Sequence, residues 1–79
     1  MDIIEKLEKL TAFFQRLADY DGASINIGDK TYMAMNEVDC YRLFEVKERA
    51  YICMDTYDNK NELALALMKL ICDVEERYA

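Results

Sequence analysis

Apolar residues recur at three- and four-residue steps at both ends of this chain and at alternate positions through its middle. At the N-terminal end, Ile3, Leu7, Leu10, Phe14 and Leu17 form one stripe, widened by Ile4, Phe13 and Ala18. That period predicts an amphipathic helix over residues 2–20. Asp2 and Glu5 suit the positive end of its dipole, and Glu5 with Lys9 makes a favourable pair one turn apart. Asp21-Gly22 is the stop, with Gly22 expected to take the positive φ that ends many helices.

From Ala23 the period changes to two. Ala23, Ile25 and Ile27 alternate with Ser24 and Asn26, and Gly28-Asp29 then leads into Thr31-Tyr32-Met33-Ala34-Met35. This predicts a hairpin over 23–36. A two-residue turn sets Ile25 opposite Tyr32; a three-residue turn sets it opposite Met33 and sends Tyr32 outward. One residue of slip exchanges the faces.

Residues 36–39 break the pattern, and two readings compete for the next segment. Cys40 to Val46 is rich in aromatic and β-branched residues, as strands are. Asn36 and Asp39 could instead cap a short helix carrying Val38, Tyr41 and Phe44. The strand is preferred because Ala50–Tyr57 is a strong strand candidate directly after it. Lys47-Glu48 is expected to be the turn between them. Tyr41, Leu43, Ala50, Ile52 and Met54 then share one face, and Arg42, Phe44, Val46, Tyr51, Cys53 and Asp55 the other. Residues 59–78 predict a second helix, opened by an Asn59/Glu62 capping box beside Asp58. Leu63, Leu67, Leu70, Ile71, Val74 and Tyr78 form its main stripe; Leu65, Met68 and Cys72 form a second one next to it.

The expected fold is therefore α+β, a single two-layer domain over residues 1–79 in the order α-β-β-β-β-α. A four-stranded antiparallel sheet carries both the N- and C-terminal helices on one face and leaves the other open.

Charge sharpens this picture. The chain of 79 residues has net charge −6, and the excess lies in its middle. Residues 19–58 carry nine acids against four bases, while residues 2–18 carry three of each. Such a chain lacks the basic footprint that direct nucleic-acid binding needs. No apolar run approaches the ~20 residues that span a bilayer. The first twenty residues alternate charged and apolar types, unlike a secretory leader, so the expectation is a cytoplasmic protein.

Catalytic chemistry is hard to assemble from these residues. The chain has no histidine, which removes the commonest general base and zinc ligand. Cys40, Cys53 and Cys72 have no C-x-x-C spacing, and read as reduced core residues, with Cys53 the candidate for an exposed thiol. Asp19-Tyr20-Asp21-Gly22 resembles the start of a calcium loop, but its glycine comes early and the closing acid is missing. Ser24 is the only serine and has no base to activate it. The expectation is a protein that is no enzyme, with no metal and no cofactor.

Surface remains. Arg42, Phe44, Tyr51 and Tyr57, with Asp55 between the tyrosines, are expected on the open face, a composition common at interfaces. Asp29, Glu37, Asp39, Glu45, Glu48, Asp55 and Asp58 would surround it. In length, acidity, lack of catalytic groups and helices flanking a short sheet, the chain resembles the anti-CRISPR proteins of phages and mobile elements. The resemblance is one of class and carries over no residue. It implies an inhibitor that covers the basic, nucleic-acid-binding surface of a host protein. The alternative is a structural module that dimerises through Leu65, Met68 and Cys72.

Overall fold

The computed structural model describes residues 3–78, and the side chains of residues 3–76. Asp2 as helix opener and Tyr78 as a stripe residue lie outside the described side chains. Helix α1 (Ile3–Tyr20) is followed by strands β1 (Gly22–Ile27), β2 (Lys30–Asn36), β3 (Tyr41–Lys47) and β4 (Ala50–Tyr57), and then by helix α2 (Lys60–Tyr78). The strands form one antiparallel sheet in the order β1-β2-β3-β4. The fold is thus the expected α+β arrangement. The competing helix over 37–49 does not form: residues 37–40 are a connection and 41–47 a strand.

The core lies between the sheet and the helices. Leu10, Phe13 and Leu17 of α1 and Leu63, Leu67 and Ile71 of α2 are buried against Ala23, Ile25, Ile27, Tyr32, Ala34 and Leu43. All six strand positions belong to one pleat face, which fixes both helices on the same side. Each large buried side chain contributes about 1.5–3 kcal/mol. Phe13 is the fully buried aromatic of α1, and Phe14 meets it edge-on at 5.1 Å while packing only in part against the core.

Three local details differ from the sequence reading. First, Asp21, not Gly22, takes the positive φ of 59° after α1. Its N–H donates to the Leu17 carbonyl at 2.9 Å and its carbonyl accepts from Asn36 N–H at 2.9 Å, so the helix end is tied to the end of β2. Asp tolerates this region better than most residues, which frees Gly22 to begin β1. Second, the β3–β4 turn is Glu48-Arg49, with Lys47 opposite Ala50. Sliding the pair by two residues preserves the faces. Third, a bulge sets Leu43 opposite Asp55 but Phe44 opposite Cys53, leaving Met54 as the extra residue of β4.

The first hairpin has the two-residue turn, with Ile25 opposite Tyr32. Gly28 takes φ 65° at the first central position, as a type II′ turn requires. A Cβ at Gly28 would stand 2.9 Å from Val74 Cγ1. The C-terminal part of α2 therefore rests on the β1–β2 turn. Its start follows directly from β4, so α2 crosses the sheet diagonally. At that start, Glu62 N–H donates to Asn59 Oδ1 at 2.9 Å, while the Glu62 carboxylate accepts from Asp58 N–H at 3.2 Å. The capping box closes one residue further back than expected.

Candidate functional site

The sheet face away from the helices carries Ser24, Asn26, Thr31, Met33, Met35, Arg42, Phe44, Val46, Tyr51, Cys53 and Thr56 by register. None of these is buried. The hydroxyl of Thr31 donates to Asn26 Oδ1 at 2.8 Å across the β1–β2 pair. Met33 stands opposite Phe44 and Cys53 completes that row, while Val46 stands opposite Tyr51. Phe44 and Tyr51 meet edge-on with centroids 6.4 Å apart. The centre of the face is therefore apolar and aromatic, with Tyr51 62% exposed.

No carboxylate belongs to this face. The expectation of Asp55 on it is corrected, and of the acids expected around the face all but Glu45 and Asp55 sit in turns and connections. Asp29 and Glu48 mark the end where the two hairpins turn, and Asp21, Glu37, Asp39 and Asp58 mark the opposite end. Strand alternation explains this, because the open-face positions were filled by apolar, hydroxyl and amide residues and by Arg42. Glu37 pairs with Arg42 at 3.2 Å. Asp29, Asp39 and Glu48 make no ion pair among the described residues.

Two further acids and one tyrosine move relative to the sequence reading. Glu45 lies on the helix side, opposite Tyr32 and Ile52, and its carboxylate meets Lys30 at 3.7 Å and Lys47 at 3.4 Å. Tyr57 stands opposite Tyr41 and packs against the core, so it is not on the open face. Burial and then the neighbouring Asp55 raise the Tyr57 phenol above its ordinary value of 10.0. The bulge takes Asp55 out of the open-face row and places it opposite the inward Leu43. Its Oδ1 accepts from Thr56 N–H at 2.8 Å.

Size decides how the acids participate. Four strands about 4.8 Å apart and some seven residues of about 3.3 Å each make a face of about 440 Å². A stable contact buries about 800 Å² per partner. Docking on the face must therefore extend over the turns, which makes the acids a rim around an apolar centre. The domain exposes 5550 Å², about a tenth more than the roughly 5,000 Å² expected of a folded 9 kDa chain.

The helix layer has its own uncovered surface. Between α1 and α2 runs a trough of about 550 Å³ lined by Leu7, Leu10, Phe14, Ala18, Ala64 and Met68. Ile3, Ile4 and Leu7 are more than half exposed, because the first turns of α1 carry the apolar stripe past the residues that the sheet covers. On α2, Leu65 is 71% exposed, Met68 lines the trough and Cys72 is exposed. Lys6 reaches across to Glu75 at 2.6 Å, and this hydrogen bond, above all, holds the Glu75 carboxyl below its ordinary range. Cys53 is also exposed, and Cys40 is half-buried, so the cysteines are not core residues. Of the second stripe, Met68 packs in part against the core, while Leu65 and Cys72 are exposed.

No helix among the described residues is long and apolar enough to cross a membrane. No protein-family model, curated protein or solved structure matches the chain.

Proposed function

We propose that this domain is a non-enzymatic protein-binding module whose docking surface is the open sheet face. The observation that carries the reading is the pairing of an apolar centre, Met33, Phe44, Val46 and Tyr51, with an acidic rim at both ends of the strands. Interfaces are commonly built with an apolar core and a polar rim. The partner that fits is a protein with apolar residues surrounded by basic ones. Nucleic-acid-handling proteins supply such surfaces. In its finer form the proposal is an inhibitor that covers one, in the manner of anti-CRISPR proteins.

The test is capture from a host lysate by the native domain and by a Phe44→Ala/Tyr51→Ala variant, at rising salt and with heparin as competitor. Loss of an aromatic anchor at an interface centre costs about 2 kcal/mol, or roughly thirtyfold in affinity. A basic protein retained by the native domain, released by salt and heparin, and lost with the double variant is the expected result. Capture indifferent to the aromatic substitutions or to salt refutes the reading.

A second reading, a homodimer through the helix layer, is favoured by the exposed Leu65 beside the apolar trough. Sedimentation of the native chain and of Leu65→Glu tests it. A dimer that dissociates in the variant supports it, and a monomer at high concentration removes it.

A further inference from the structure

The two edges of the sheet are treated differently. Along β1, the guanidinium of Arg16 donates to the Ser24 carbonyl at 3.0 Å, so a charged side chain guards that edge. Along β4 nothing comparable stands among the described residues. Every β4 residue except the half-buried Tyr57 is exposed, and Asp55 is its only charged side chain. The bulge at Met54 and the Asp55–Thr56 hydrogen bond close its C-terminal part. Before the bulge the ladder is regular. Lys47 and Ala50 close the two-residue turn and hold the hydrogen bonds across it, so alternation turns the N–H and C=O groups of Tyr51 and Cys53 away from β3. Such an edge is a template for another strand unless something blocks it.

The helix side of this edge is also incomplete. Because Val74 is seated on the β1–β2 turn, α2 leaves β4 as it proceeds. A hollow of about 280 Å³ separates Met54 and Tyr57 from Ala66 and Leu70 of α2. Ile52 and Met54 are 46% and 44% exposed on the side that the helices cover elsewhere. Charges of both signs border the edge: Glu48 and Arg49 in the turn, Asp55 on β4, and Lys69 and Asp73 on the wall of the hollow. None of the five makes an ion pair among the described residues.

We infer that β4 pairs with β4 of a second copy about a two-fold axis at Ile52, joining two four-stranded sheets into one reversible dimer. One antiparallel register meets three separate demands. Tyr51 comes opposite Cys53 of the second copy, and Cys53 opposite its Tyr51, so the outward backbone groups bond one another. Ile52 meets Ile52 on the helix side as a close, non-hydrogen-bonded pair, and Ala50 comes beside Met54, so the uncovered apolar side chains cover each other. Arg49 comes beside Asp55 at both ends of the seam. Glu48 is left without a base there, and Lys69 and Asp73 offset each other. Charge thus permits the contact, while the ladder and the apolar row select it. The guarded β1 edge stops the pairing at two copies, where an open one would let it run on as a fibre.

From Arg49 to Asp55 the seam is about 23 Å long and, over sheet and helix layers about 10 Å deep each, covers about 460 Å² per copy. That area belongs to weak, reversible contacts. The dimer sets two open faces of about 440 Å² side by side, and together they reach the roughly 800 Å² that a stable contact buries on each partner. It is distinct from a dimer through the helix trough, because Leu65 lines neither β4 nor the hollow. It does not depend on docking at the open face either, because Phe44 has no part in the seam.

The test is sedimentation and amide hydrogen exchange of the native chain from micromolar to millimolar concentration. The expected result is a monomer–dimer equilibrium in which rising concentration slows exchange at Tyr51 and Cys53 but not at Ile52, whose N–H faces β3. Ile52→Lys sets two ammonium groups at the axis and should weaken the dimer at least about tenfold with an unchanged circular dichroism spectrum. Leu65→Glu and Phe44→Ala should leave it intact. With the three native cysteines replaced by serine, Ile52→Cys should be cross-linked by oxidised glutathione, since a non-hydrogen-bonded pair sets its Cα atoms about 4.5 Å apart. Tyr51→Cys, about 8 Å from its own copy, should not. A monomer at millimolar concentration, concentration-dependent protection confined to other residues, or cross-linking of Tyr51→Cys but not Ile52→Cys would overturn the inference. So would a dimer lost in Leu65→Glu and kept in Ile52→Lys. Protection of Tyr51 and Cys53 that arises only when another protein is added would overturn it too, by assigning the edge to a different occupant.

Discussion

Gly28→Ala perturbs the point where the sheet and the end of α2 meet, and its cost has two separable parts. An L residue at the φ of 65° is strained, by about 1–2 kcal/mol. Alanine recovers about 0.4–1 kcal/mol by restricting the unfolded chain. The new Cβ would also stand 2.9 Å from Val74 Cγ1. Valine on a helix holds one rotamer and cannot swing aside, so α2 must shift, at about 1–3 kcal/mol for overpacking. The net expectation is about 2–3 kcal/mol. A domain of this size has only about 4–12 kcal/mol in total, and the midpoint of melting should fall by about 10–20 °C. The assay is urea unfolding followed by circular dichroism on the native chain, Gly28→Ala, Val74→Ala and the double variant. Val74 is only half-buried, so its truncation alone should cost about 1 kcal/mol. In its absence the clash is gone and only the backbone strain remains. The two substitutions should therefore couple by about 1–2 kcal/mol. Additive costs, or a loss below about 0.5 kcal/mol for Gly28→Ala, would refute the close approach and with it the diagonal course of α2.

Asp21→Gly keeps both backbone hydrogen bonds at the end of α1 and relieves the positive φ; it should stabilise by about 0.5 kcal/mol, read as a rise in melting temperature. Asn59→Ala removes the acceptor for Glu62 N–H and should cost about 1 kcal/mol in chemical denaturation. Tyr57 contributes stability that is fully present below its unfolded value of 10.0 and is lost as pH rises through the raised folded value. Asp55→Asn removes the second of the two causes. The Tyr57 midpoint, taken from phenolate absorbance against a Tyr57→Phe reference, should therefore fall towards 10.0 but stay above it.

Element order, both helices and the open face were legible because they follow from period alone. A period of two or of three to four residues survives small errors in turn position. The β3–β4 turn shows this: Lys47-Glu48 and Glu48-Arg49 give pairings two residues apart, and both leave Phe44, Val46, Tyr51 and Cys53 together. Features that period does not encode were lost. The bulge at Met54 is invisible because Met54 reads as one more alternating residue, and it displaced Asp55. Phe13 and Phe14 both lie within an apolar arc covering about half of α1, and only the placement of two helices over one sheet decides that Phe13 is buried. The count of acids was readable from the chain. So was the segregation of most of them to turns, at Asp21, Asp29, Glu37, Asp39 and Glu48, but the removal of Asp55 from the open face was not, because it depends on the bulge.

That segregation separates the possible associations by the sign of their salt dependence. The helices, residues 3–20 and 60–78, together carry seven acids and six bases, so the helix layer is close to neutral, while residues 21–58 hold a net −4. A dimer through the helix trough gains nothing from charge at its contact but must bring two acidic sheets closer together. Salt shortens the screening length to about 8–10 Å at physiological strength, and should strengthen such a dimer. Docking of the sheet face on basic groups loses attraction under the same change and should weaken, chiefly through a slower on-rate. Sedimentation for self-association and stopped-flow or surface binding for a captured partner, each run from low to high salt, should give slopes of opposite sign. Partner binding that strengthens with salt would remove the acidic rim from the contact. The apolar centre of the open face would then have to account for the affinity from about 440 Å², less than a stable interface needs.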